Sequence, residues 1–97
     1  MELVKIRDGQ KFALLKLCQK YTKSRGCRLW ILSELLGKSV ESTEELSLQD
    51  WRRIRDEAYP DWHNDDWLTS KEFDSKMRGL VFRYEKEVLG QMGLFNE

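Results

Sequence analysis

The sequence predicts an all-α protein, a small bundle of about four helices with the longest helix at the C-terminal end. Three observations carry that expectation. Apolar residues recur at spacings of three and four through most of the chain, a single proline, Pro60, interrupts them, and alternating runs of strand length are scarce. A chain of 97 residues is one domain by length, and a domain of that size buries roughly two-thirds of its unfolded surface without disulfides or metal. The expected division is a helical domain over 1–90 and a binding tail over 91–97.

Residues 1–7 alternate too briefly to choose between an extended arm and the start of a helix. Asp8 is placed to cap a first helix that carries Leu14, Leu17, Cys18 and Tyr21 on one face, with Lys16, Lys20 and Lys23 on another at the same pitch. Ser24-Arg25-Gly26 reads as a break. Arg28 to Leu36 then sets Leu29, Ile31, Leu32, Leu35 and Leu36 around a short, heavily buried helix closed by Gly37 in a left-handed cap, the expected centre of the core. The connection 38–46 is polar, with Val40 and Leu46 as anchors.

Ser47 followed by Asp50 three residues later has the form of a capping box, opening a third helix with Trp51, Ile54 and Ala58 as its buried line. Pro60 ends it near Tyr59, because the residue before a proline is pushed out of the helical region. Residues 60–68 are too polar for a core helix and too aromatic for a disordered linker, so Trp62 and Trp67 are expected to fold back onto the domain. Thr69 with Glu72 reads as a second capping box. Phe73, Met77, Leu80, Val81, Tyr84 and Val88 follow at heptad-like spacing over about 20 residues, or roughly 30 Å of helix, with Gly90 as its stop.

Composition excludes several classes of function. The formal net charge is zero, yet eight cations stand against two anions up to Arg28, so the first part of the chain has a surplus of six positive charges and the rest an equal deficit. Such asymmetry steers a basic end toward an acidic partner, a nucleic-acid backbone included, although a solvated basic helix face gives the same pattern. Cys18 and Cys27, without a charged-then-apolar leader after Met1, point to a reducing, cytoplasmic compartment and two free thiols. With His63 they offer too few soft ligands for zinc, and no metal or other cofactor is expected.

No apolar run approaches the roughly 18 residues of a membrane span. Asp61, His63, Asp65 and Asp66 crowd one loop, but they lack the ligand alternation and glycine turn of a calcium loop and read as solvated charge. There is no glycine-rich phosphate loop and no Ser-His-Asp order with an elbow glycine, and His63 has no cysteine neighbour to activate, so no catalytic residues are expected. Trp30, Trp51, Trp62 and Trp67 read as a tryptophan-rich core, with a stacking platform for single strands as the alternative.

The end of the chain carries the strongest functional signal. Leu94 and Phe95 are adjacent large apolar residues behind Gly90 and Gly93, poorly placed to pack into their own core. Gln91-Met92-Gly93-Leu94-Phe95 resembles the clamp-binding pentapeptide of bacterial replication and repair proteins, which runs Gln, aliphatic, small or polar, Leu, Phe. That resemblance implies a tail in which Gln91, Met92, Leu94 and Phe95 insert into a pocket on the DNA polymerase β sliding clamp. The residue types suit such a site, since each apolar anchor contributes about 1.5 to 3 kcal/mol of burial and the Gln91 carboxamide offers a donor and an acceptor to the rim. The alternative is that Leu94 and Phe95 cap the last helix against Trp62 or Trp67.

A second stretch, Arg28 to Ala58, holds Arg-Leu, then Glu-Leu-Leu-Gly-Lys, Val-Glu-Ser, Glu-Leu-Ser and Asp ahead of a helix. It resembles a small helical module near the C-termini of phage and plasmid single-strand annealing recombination proteins, although Trp30 and Trp51 are bulkier than that pattern calls for and no recombinase accompanies it. A generic helix-turn-helix shares much of it. Together these readings lead to a non-enzymatic adaptor or regulator in DNA replication, recombination or repair, of bacterial or mobile-element type, with the clamp as partner and DNA or a recombination protein as a further one. The alternative is a helical DNA-binding or regulatory domain that uses Lys16, Lys20 and Lys23 and has a purely structural tail.

Overall fold

The computed structural model describes residues 4–90. It contains α1 (Asp8–Gln19), α2 (Arg25–Leu36), α3 (Leu48–Ala58) and α4 (Lys71–Arg83), the last continuing as a π-helical segment, Tyr84–Leu89. The architecture is all-α, as the periodicity predicts, and α4 with its continuation is the longest element. No strand occurs among the described residues. Residues 4–7 form the extended arm rather than a helix start. The arm pairs with the lead-in to α3: Ile6 N–H donates to Leu46 O at 3.1 Å and Leu48 N–H to Val4 O at 2.7 Å, across an isolated antiparallel bridge between Lys5 and Ser47. This pairing satisfies the arm's backbone and buries Ile6.

The core is centred on α2. Its Cys27, Ile31, Leu32, Leu35 and Leu36 are all buried, and α3, α4 and the π segment pack against it. Leu14, Leu17 and Cys18 of α1, Trp51, Ile54 and Ala58 of α3, and Phe73, Met77 and Leu80 of α4 complete the cluster, together with the anchors Val40 and Leu46. A helix with apolar residues on most of its circumference has to be covered from several sides. The chain turns away from α2 through Gly37, which adopts the left-handed conformation (φ 68°) that a side chain would make costly. Ser33 fixes the turn that follows: its hydroxyl donates to Leu29 O and accepts Val40 N–H, both at 2.9 Å.

The start of α3 is as the sequence predicts. Ser47 Oγ accepts Asp50 N–H at 3.1 Å and Asp50 Oδ2 accepts Ser47 N–H at 2.9 Å, a reciprocal box that satisfies two otherwise orphaned donors. Lys38 Nζ also binds Asp50 Oδ2 at 2.8 Å. Partial burial opposes the charged form of Asp50, but Lys38 and the Ser47 N–H outweigh it and hold the carboxyl below its ordinary range.

Other boundaries differ from expectation. Asp8 is the first residue of α1 rather than its cap, because Gln10 reaches back to the Arg7 N–H (2.9 Å) and makes Arg7 the cap position. The helix ends at Gln19, so Lys20 is its C-cap and Tyr21 and Lys23 lie in the connection beyond it. The cap of α4 is Ser70, whose hydroxyl accepts Phe73 N–H at 3.1 Å. Thr69 donates to Asp74 instead, at 3.0 Å.

The break between α1 and α2 runs over residues 20–24, so it includes Ser24 but not Arg25 or Gly26. Ser24 caps α2 by accepting Cys27 N–H at 3.2 Å, and Arg25 and Gly26 are its first helical residues. The glycine has a packing reason, since a Cβ at Gly26 would stand 2.8 Å from the Tyr84 hydroxyl. Tyr84 is held there against Trp30, ring centroids 5.8 Å apart. A tryptophan-rich core is likewise not what forms: Trp51 is buried at 6% exposure, while Trp30 and Trp62 are half-buried and Trp67 is exposed.

The Gly26–Tyr84 approach gives a test of helix packing. Alanine is favoured over glycine within a helix by up to about 1 kcal/mol, but here that gain is opposed by the close contact. Gly26→Ala is therefore expected to raise the thermal midpoint in a Tyr84→Phe background and not in the wild-type background. Equal effects in both backgrounds, measured by circular dichroism melting, would show that the hydroxyl does not constrain the position.

Candidate functional site

The four tail residues singled out by sequence, Gln91, Met92, Leu94 and Phe95, lie outside the described residues, as does the expected boundary after residue 90. What leads up to them is described. Along α4 the last buried residue is Leu80, Tyr84 is half-buried, and the π segment Tyr84–Leu89 contains no buried residue. Gly90 follows Leu89 with right-handed helical backbone (φ −61°, ψ −44°), so the glycine expected to stop the helix is not in a left-handed cap.

Lys16, Lys20 and Lys23 are all exposed, but they do not form one stripe on a helix. Lys16 is on α1 with its ammonium 5.3 Å from the ring centroid of Phe12, itself 60% exposed. Lys20, at the C-cap, is engaged across the fold: its Nζ lies 2.6 Å from Thr69 Oγ1 and 3.5 Å from Asp74 Oδ1. Tyr21 donates its hydroxyl to the same Asp74 oxygen and meets Phe73 edge-on, centroids 6.2 Å apart. Burial, reinforced by that hydrogen bond, pushes the Tyr21 phenol up to about 12. The bonds from Tyr21 and Thr69, with Lys20 nearby, hold the Asp74 carboxyl below its ordinary range. This cluster ties the end of α1 to the start of α4, so Lys20 has a structural partner that Lys16 and Lys23 lack among the described residues.

A grouping of aromatic and charged side chains stands at the surface of the connection that the sequence predicts to fold back. It lies between α3 and α4, around the short 3₁₀ turn Trp62–Asn64. The Arg55 guanidinium sits 3.6 Å over the Trp62 ring, and His63 stacks on that ring at 3.8 Å. Asp56 Oδ1 accepts Trp62 Nε1–H at 2.8 Å together with both Arg55 donors, Nε–H at 3.0 Å and Nη2–H at 2.9 Å. Asp65 adopts left-handed backbone (φ 58°), which aspartate tolerates better than most side chains. Its carboxylate accepts Trp67 Nε1–H at 3.1 Å.

Trp67 lies 6.2 Å from Trp62 and 5.3 Å edge-on from Tyr59, centroid to centroid. The indoles do fold back, as expected, but onto the end of α3 and onto each other. Trp67 remains 48% exposed and its neighbour Leu68 74%. The signal that could have located this surface was the placing of Trp62 and Trp67 six and two residues after Asp56 and Asp65, the carboxylates that accept their indole N–H groups.

Both cysteines are free and buried. Burial pushes the Cys18 thiol up to about 12 and raises Cys27 as well, so neither is a thiolate nucleophile near neutral pH. Arg28 Nε is buried without a hydrogen-bond partner among the described residues. Those residues contain no group of three or more His, Cys, Asp or Glu side chains arranged to hold a metal ion, no cavity, and no helix long and apolar enough to cross a membrane. No family model, no curated protein and no solved structure matches the chain.

The Lys20–Asp74–Tyr21 cluster makes a prediction about lysines and about pH. Lys20→Gln is expected to lower the thermal midpoint, while Lys16→Gln and Lys23→Gln leave it nearly unchanged. A carboxyl depressed in the folded state contributes stability that is present above the unfolded pKa, about 3.9, and is lost as pH falls through the lower folded value. Asp74→Asn should therefore be less stable than wild type at pH 7, with the gap narrowing as pH falls below about 4. A gap that stays constant from pH 7 to pH 3 in chemical denaturation would contradict this assignment.

Proposed function

We propose that the protein is a non-enzymatic adaptor or regulator in DNA replication, recombination or repair, which docks on the bacterial β sliding clamp through Gln91, Met92, Leu94 and Phe95. The sequence Gln-Met-Gly-Leu-Phe over 91–95 supports the reading through its resemblance to the clamp-binding pentapeptide. The observation that carries it furthest is the decline of burial ahead of that segment. Every buried apolar residue among the described ones lies between Ile6 and Leu80, and the helix beyond Arg83 adds none. The core of the described residues is thus built from side chains well before the motif.

The energetics fit reversible recruitment. Two apolar anchors supply about 1.5 to 3 kcal/mol each, and ordering a short peptide offsets several kcal/mol of that gain, which leaves an affinity on the order of micromolar. A ring-shaped clamp with repeated pockets raises the effective grip through avidity. Such a partner places the protein in the cytoplasm of a bacterial cell, as a host or mobile-element component. An inhibitor that occupies the pocket to exclude polymerases uses the same residues and is distinguished by a replication assay.

A second reading, DNA binding by the basic N-terminal part, is favoured by the exposed Phe12–Lys16 pair and by Lys23, for which no ion pair is present among the described residues. It calls for salt-sensitive binding that weakens when the lysines are neutralised.

Calorimetric titration against purified clamp tests the main reading. Wild type should bind in the micromolar range, and deletion of 91–97 or the double change Leu94→Ala/Phe95→Ala should abolish binding with the helical circular dichroism intact. Binding that survives either change rejects the proposal.

A further inference from the structure

The surface between α3 and α4 has the features of a receptor for positive charge, and we propose that it docks an arginine-rich segment of a partner protein, with Trp67 as its central contact. This inference uses a different part of the chain from the clamp reading and stands or falls separately.

The structure contains one occupied instance of the recognition. Arg55 lies 3.6 Å over the Trp62 ring while two of its N–H groups bind Asp56, and Asp56 also accepts the Trp62 indole N–H. A guanidinium stacked on an indole and hydrogen-bonded to the carboxylate beside it combines two favourable contacts in one geometry. Trp67 has matching equipment without the cation. Asp65 accepts its indole N–H at 3.1 Å, Asp66 is the intervening residue, half the indole surface is open, and no cation of the described residues lies over its ring. The second arrangement shares the indole–carboxylate hydrogen bond of the first and lacks its arginine.

Charge selects the same class of ligand. From Asp56 to Leu68 there are five carboxylates, Asp56, Glu57, Asp61, Asp65 and Asp66, and no lysine or arginine. Arg55 pairs with Asp56 and Lys76 with Glu57. Asp61, Asp65 and Asp66 have no ion pair among the described residues. Three carboxylates without an ion pair on one connection, Asp65 bonded to the exposed indole and Asp66 to the Leu68 N–H, repel a phosphate backbone or an anionic lipid surface and attract a guanidinium with an apolar neighbour. The connection, residues 59–70, is also longer than the roughly 2–8 residues usual between packed helices, a length more often kept for binding than for simple linkage. Exposed tryptophan is, moreover, the residue type most enriched at the centres of interfaces.

Isothermal titration of the full chain with deca-arginine, deca-glutamate and a fifteen-nucleotide oligo-dT tests the proposal. Deca-arginine should bind, more weakly as salt is raised, and the other two should not. Trp67→Ala should weaken deca-arginine binding about tenfold, Asp65→Asn/Asp66→Asn several-fold, and Trp67→Phe, which keeps a ring, by less than Trp67→Ala. Circular dichroism establishes that each variant is folded. Three results would each overturn the proposal: deca-arginine binding unchanged by Trp67→Ala, oligo-dT binding that Trp67→Ala removes, or self-association in sedimentation that the same substitution abolishes, which would assign the face to a second copy.

Discussion

The need to cover α2 organises this fold. Cys27, Ile31, Leu32, Leu35 and Leu36 point to more than one side of a three-turn helix, so a single partner helix cannot remove them all from water. Helix α3 and helix α4 with its π segment are laid against it, and α1 and the anchors Val40, Leu46 and Ile6 close the remaining surface. Two polar devices make that arrangement unique rather than merely compact. Gly37 and Ser33 set the direction in which the chain leaves α2, and Arg53 Nη1–H reaches the Leu36 carbonyl at 3.4 Å to tie α3 to the same helix end. Without them the apolar surface would still collapse, but the route from α2 to α3 would be under-specified.

The elements legible in sequence were those determined by neighbours along the chain. The Ser47–Asp50 box, the Gly37 cap, the stop before Pro60 and the buried lines of α2, α3 and α4 depend on residues three or four positions apart, and periodicity carries that information directly. Where the structure departs from the sequence expectation, the cause is a specific side-chain contact, some across the fold and some only a few residues away. Gly26 looks like a helix breaker until Tyr84, far along the chain, is found over its Cα. Thr69 is as good a cap as Ser70, and only the presence of Lys20 and Asp74 explains why it serves the other role. Tryptophan, large and apolar, reads as core, but its indole N–H needs an acceptor, and at Trp62 and Trp67 the acceptors are surface aspartates. Of the candidate site, the pentapeptide was visible as a pattern of residue types, whereas the stacking of Arg55 on Trp62 depends on the turn that brings them together.

Charge is segregated along the sequence and partly reunited by folding. The basic first part of the chain meets the acidic remainder at Lys11–Glu44, 2.8 Å, and at Lys20–Asp74, 3.5 Å, while Lys38–Asp50 and Lys76–Glu57 join later elements to one another. Pairs as exposed as most of these contribute little stability individually. Their larger effect is on what they leave over. Lys20 at the end of α1 and the acids Asp50, Asp56, Glu57 and Asp74 of α3 and α4 are drawn into pairs, whereas Asp61, Asp65 and Asp66, on the connection between α3 and α4, have no ion pair among the described residues. A formal net charge of zero therefore does not exclude a local surplus of negative charge on that connection.

The α3–α4 connection is held by its own hydrogen bonds more than by the core. Asp61 O accepts the N–H groups of Asn64 and Asp66, Trp62 O accepts that of Asp65, and the Asp66 carboxylate accepts Leu68 N–H. Ser70 N–H, donating to Ala58 O at 3.1 Å, closes the base of the loop. A loop built this way can keep Trp67 and Leu68 in water while holding them in one geometry, because it does not depend on burying them. Burial would have stabilised the fold by about 1.5 to 3 kcal/mol per large apolar side chain. Leaving that stabilisation unused while fixing the indole with a carboxylate is the arrangement expected of a preorganised contact, in which little conformational entropy remains to be lost when a partner arrives.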